Sequence, residues 1–91
     1  MSASPQQQMS RVQKLRWYVD QLMKDASELE QKGGGESAVS KYLQAADILL
    51  LLSKGEESYT TWKSYTDKAS FCQQRAKRLI ALAPKGQIGP A

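Results

Sequence analysis

The sequence has no histidine and a single cysteine, Cys72, in 91 residues. Histidine is the side chain whose ordinary pKa lets it take and release a proton near neutral pH. Its absence removes the usual general base and most triad chemistry. One thiol cannot close an internal disulfide, which predicts a reducing compartment. It also leaves a zinc site to carboxylates, a ligand set zinc seldom takes. Cys72 has no histidine to activate it and reads as a small buried hydrophobe. Long apolar runs are missing as well. The longest, Ile48 to Leu52, falls far short of the roughly 20 residues that span a bilayer. The opening "MSASPQQQMS" has no apolar core and does not read as a secretory signal. These absences predict a soluble cytoplasmic chain with no catalysis, cofactor or metal site of its own, and no small-molecule substrate.

What is present is one small domain's worth of chain, 41% apolar and 24% charged, with a net charge of +4. That balance favours acidic partners in general without naming one. The densest basic stretch is "SFCQQRAKRLIAL" (Ser70 to Leu82), where Arg75, Lys77 and Arg78 fall within one helical turn of each other. It reads either as an anion-gripping strip or as the solvated flank of a helix. Cations in the last turns of a helix complement its dipole, which favours the flank. The other basic residues are spread along the chain among acidic ones. "KGGGES" (Lys32 to Ser37) lacks the residue order of a phosphate-binding loop and reads as a turn.

Three amphipathic patterns follow the polar start. Val12, Leu15, Val19, Leu22, Ala26 and Leu29 alternate three and four apart, as one face of a helix does. Ser10 is placed to cap that helix, and the glycines after Lys32 end it. Ala38, Tyr42, Ala45, Leu49 and Leu52 keep the same rhythm in a second helix. Val39, Ala46, Ile48, Leu50 and Leu51 widen its apolar arc and predict the most buried helix of the set. Gly55 marks the next break, with Glu56 and Glu57 beside a helix start. Trp62, Tyr65, Ala69, Cys72, Ala76 and Leu79 form the third stripe, which Pro84 closes. Tyr59, Trp62 and Tyr65 share helical spacing and are expected in the core. The expectation is an all-α, antiparallel three-helix bundle over residues 10–83, with a flexible segment at 1–9 and a loose tail at 84–91. In such an up-down-up arrangement Arg11, Lys14 and Arg16 stand at the opposite end from Arg75. No continuous basic stripe forms, so nucleic acid is not the expected partner. Small residues at Ala26, Ala38, Ala45, Ala46, Ala69, Cys72 and Ala76 read equally well as good helix formers and as a means of close helix approach beside surface grooves.

Two motifs carry a resemblance. Helix 2, "SAVSKYLQAADILL" (Ser37 to Leu50), has the Ala-x-x-x-Tyr-x-x-Ala pattern of microtubule-interacting-and-trafficking (MIT) domains. Helix 3 carries "RAKRL" (Arg75 to Leu79), which looks like that family's Arg-Ala-x-x-Leu signature. The resemblance spans Val12 to Leu82. It implies a three-helix docking module for short tail motifs of ESCRT-III-type filament subunits. Such domains often precede an AAA ATPase that remodels those filaments in membrane scission, trafficking or cell division. The initial methionine and the loose tail suit such an N-terminal module. An archaeal cell-division ATPase is one candidate parent; katanin-like or spastin-like enzymes and other trafficking proteins are others.

The family has two grooves. The one between helices 2 and 3 takes a helical ligand, with a leucine two residues before the Arg-Ala pair and acids nearby. Here Gln73 stands at that position, with Gln74 and Lys77 as neighbours, so the acids are replaced. The groove between helices 1 and 3 takes an extended ligand. The resemblance puts Met23 on it, with Val19 and Ala26 a turn to either side and Tyr65, Ala69 and Cys72 as the facing wall. Any membrane proximity would come through the partner. The reading from another class is a basic helical domain for nucleic acid or an acidic membrane surface. Steep weakening with salt would mark it, whereas an apolar groove would weaken far less. A bundle that serves only oligomerisation is the third reading.

Overall fold

The computed structural model describes residues 10–82. The expected loose head (1–9), the tail (84–91) and the stop at Pro84 lie outside the described residues. Within them the chain forms three helices, α1 (Arg11–Gln31), α2 (Gly35–Lys54) and α3 (Tyr59–Leu82), with no strand.

Each boundary has a local cause. Ser10 caps α1 through a reciprocal pair of bonds: its Oγ accepts from the Gln13 amide at 3.1 Å, and Gln13 Oε1 accepts from the Ser10 amide at 2.9 Å. At the other end Gly33 takes a φ of +85°, which only glycine adopts at little cost. That turn lets the Gly34 amide donate to the Leu29 carbonyl at 2.8 Å and the Gly33 amide to the Glu30 carbonyl at 3.2 Å. Both bonds satisfy carbonyls that a helix end leaves orphaned. Gly55 ends α2, and Ser58 starts α3 by accepting from the Thr61 amide at 3.4 Å. Glu56 and Glu57 precede that start, and Glu56 accepts from the Ser58 amide at 3.1 Å.

The helices run up, down and up. Asp25 of α1 pairs with Lys41 of α2 at 3.9 Å, and Glu30 near the end of α1 meets Arg75 toward the end of α3. At the opposite end Arg11, Val12 and Leu15 share a hollow with Leu52, Gly55 and Tyr65. The basic residues at the start of α1 and those near Arg75 therefore stand at opposite ends.

α2 is the central rod: it packs along both neighbours, most intimately along α3, whereas α1 and α3 approach each other least. It also buries the most residues, including Ala38, Val39, Tyr42, Ala45, Ala46, Leu49 and Leu52. The seam it shares with α3 is made of small side chains. Ala45, Ala46, Ala69, Cys72 and Ala76 are at most 1% exposed. Such residues let two helix axes close up. The buried Ser53 hydroxyl donates to the Leu50 carbonyl at 2.7 Å, so the one buried polar side chain among the described residues is satisfied.

The apolar rhythm overstates the core in three places. Trp62 and Tyr59 are exposed and stack on each other, with ring centroids 5.8 Å apart. They lie in the first turn of α3, where the bundle ends and no further layer covers them. Val12 is exposed at the start of α1 for the same reason. Leu50 and Leu51 are exposed because two neighbouring helices cannot cover the whole arc of α2.

A bulky residue in the small-residue seam should separate the two rods. Ala69→Leu is expected to destabilise the bundle by about 1–3 kcal/mol through overpacking. Cys72→Ala, which only shrinks a seam residue, is expected to cost less. Urea unfolding followed by circular dichroism checks the ranking.

Candidate functional site

Of the three helix pairs, α1 and α3 approach each other least. Tyr42 of α2 reaches both. Its hydroxyl donates to Glu30 Oε1 of α1 at 3.1 Å. The same carboxylate accepts two bonds from Arg75 of α3, one from Nε at 3.0 Å and one from a terminal guanidinium nitrogen. The Tyr42 ring meets Phe71 edge-on, with centroids 6.4 Å apart. All three helices are thus tied at a single carboxylate. The tie bridges α1 and α3 toward the C-terminal ends of both helices.

The electrostatics follow from that geometry. The Arg75 hydrogen bond, opposed by partial burial and helped by Tyr42, holds the Glu30 carboxyl below its ordinary value of 4.5. Burial first, then the bond to Glu30, raises the Tyr42 phenol. The Glu30 carboxylate in turn raises the Arg75 guanidinium, which stays charged. Burial alone pushes the Cys72 thiol up, which disfavours the reactive thiolate. Among the described residues no group of three or more His, Cys, Asp or Glu side chains is placed to hold a metal ion.

The residues expected to touch a peptide divide sharply. Val19, Ala26, Tyr65, Ala69 and Cys72 are no more than 6% exposed. They are interior residues that set the floor and spacing of the bundle and offer no open wall. The reason is that each sits on the centre line of its helix's apolar stripe, where the neighbours close over it. Met23 differs: it packs against the core but is only partly buried. In the other groove Gln73 and Lys77 are both exposed on α3.

Sequence reasoning missed the Glu30–Arg75–Tyr42 tie. Arg75 reads as a solvated flank, yet its side chain is 36% exposed and bonded to a Glu30 side chain exposed by 19%. Parallel running of α1 and α3 was the available signal, since it brings the last turns of both helices to one end. Phe71, exposed beside Tyr42, was also passed over because it lies off the heptad stripe.

Comparison with protein-family models, curated proteins and solved structures gives no match. No described helix is long and apolar enough to cross a membrane.

Because Glu30 is held below its ordinary value, its tie stabilises the fold fully above that value and loses this contribution as pH falls through the folded-state pKa. Glu30→Gln is expected to lower Tm by a few degrees at neutral pH. The gap between variant and wild type should shrink steadily in acid. Thermal melts across that pH range check it; a gap that is constant with pH would contradict the role given to the carboxylate.

Proposed function

We propose that this bundle is a non-catalytic peptide-docking module of the MIT type. It binds a short tail motif of an ESCRT-III-type filament subunit and so brings a parent protein, an AAA ATPase by the family resemblance, to filaments in membrane scission or cell division. The observation that carries this reading is the loose approach of α1 to α3, bridged by Glu30 and Arg75, with Met23 partly buried at the edge of the core. An extended peptide needs a furrow with an adaptable apolar contact, and methionine supplies one. The tie fixes the separation of the two walls before any peptide arrives. Such preorganisation reduces the ordering cost of binding.

The groove between α2 and α3 supports a helical ligand of basic character less well. Lys77 is exposed on it, and Gln73 replaces the apolar residue that such a ligand would meet. The motifs "SAVSKYLQAADILL" and "RAKRL" support the family reading at the level of sequence. The absence of histidine and the raised Cys72 thiol weigh against a catalytic role for this segment.

Titration against proline-bearing tail peptides of ESCRT-III-type subunits, at two salt concentrations, tests the reading. Met23→Asp is expected to weaken binding at least tenfold with helicity retained. Gln73→Asp is expected to change it much less. An unchanged Kd for Met23→Asp would exclude the α1–α3 furrow, and the reverse ranking would move the site to the α2–α3 groove.

A further inference from the structure

The chain has two tryptophans and four tyrosines. Tyr42 and Tyr65 are buried, and the other four are exposed: Trp17 by 59%, Tyr18 by 45%, Tyr59 by 69% and Trp62 by 41%. These four exposed rings belong to the same end of the bundle, whereas the exposed Phe71 lies beside Tyr42. Trp17 and Tyr18 lie in the first two turns of α1, and Tyr59 and Trp62 in the first turn of α3. Parallel running of these helices puts both starts together, where Arg11, Val12 and Leu15 meet the end of α2 around a hollow of about 330 Å³. Leu51 adds an exposed aliphatic side chain there.

The charge is one-sided over the start of α1, where no acid precedes Asp20. Arg11, Lys14 and Arg16 are exposed, and the first turn of the helix contains no acid. None of the three is paired with a carboxylate among the described residues. Of the acids nearby, Asp67 holds Lys63 at 3.3 Å, Glu56 accepts from the Ser58 amide and shares the hollow with Arg11, and Asp20 and Glu57 are exposed. Cations at the positive end of a helix dipole oppose the helix itself. An anionic surface that supplies the missing countercharge would relieve that conflict.

Exposed tryptophan and tyrosine beside unpaired lysine and arginine match the headgroup layer of a bilayer. There, rings with one polar edge sit at the boundary between water and acyl chain. Basic side chains gain from the negative potential of anionic lipids. A folded peptide partner would not require the aromatic residues to be amphipathic, and a nucleic acid would not require Leu51 or Val12. We propose that this end of the bundle, the start of α1 with the first turn of α3, rests on an anionic lipid surface. The inference is independent of the peptide furrow, whose tied end at Glu30 and Arg75 points the other way along the bundle. A peptide bound along α1 and α3 and a bilayer at the opposite end can be held together.

Co-sedimentation of the full chain with vesicles of phosphatidylcholine, alone or mixed with phosphatidylserine, tests this. Tryptophan emission is read in parallel. The chain is expected to partition onto the mixed vesicles and not the neutral ones, with a blue shift as the rings leave water. Reversing all three cations (R11E/K14E/R16E) at exposed positions should leave helicity intact and cut partitioning at least tenfold. Trp17→Ser should reduce both partitioning and the blue shift. No binding to the mixed vesicles, or charge reversal without effect, would overturn the proposal. So would binding without a blue shift that a single-stranded oligonucleotide competes away, because the ligand would then be a polyanion and no bilayer.

Discussion

The close approach of α2 and α3 over small side chains is the constraint on which the rest of the bundle depends. Ala45 and Ala46 on one rod and Ala69, Cys72 and Ala76 on the other leave no bulk between them. Dispersion and apolar burial are gained over a long line of close contact, and little side-chain entropy is lost there. α3 is drawn tightly to α2 and approaches α1 least.

The α1–α3 pair is bridged by electrostatics. A single carboxylate, Glu30, takes bonds from Arg75 and Tyr42 and so joins one residue from each helix. Charge-assisted, two-pronged contacts of this kind fix geometry as well as adding energy. The tie is placed near the last turns of α1 and α3, so it limits spreading at that end and leaves the remainder of the furrow to side-chain packing. The far end has a different character, with aromatic rings and, at the start of α1, cations that pair with no carboxylate among the described residues. The bundle is polar in its layout as well as in its helix direction: a tied end and an aromatic, basic end.

Much of the fold was legible in the sequence. The three-and-four spacing of Val19, Leu22 and Ala26, and of Tyr65, Ala69, Cys72 and Ala76, located the buried stripes because helix geometry alone puts such residues on one face. Ser10 and the glycine turn were legible because caps use few residue types. Depth along the stripe was not legible. Trp62 and Val12 keep the rhythm but lie past the last covering layer, and periodicity has no information about where a neighbour stops. The candidate site was less legible still. Residues chosen for a groove wall turned out to be interior, since core and groove floor share the same spacing. The Glu30–Arg75 contact joins residues 45 apart in sequence and needs the parallel packing of α1 and α3 to be known first.

The central proposal is that a tail peptide binds between α1 and α3, the helix pair that approaches least. Mapping backbone amide shifts by NMR during titration with a proline-bearing tail peptide tests it most directly. The account predicts perturbations concentrated around Met23 on α1 and the facing turns of α3, with the outer faces of α2 at Leu43 and Asp47 unmoved. Perturbations that run along Leu43, Leu50, Gln73 and Lys77, with Met23 silent, would contradict it.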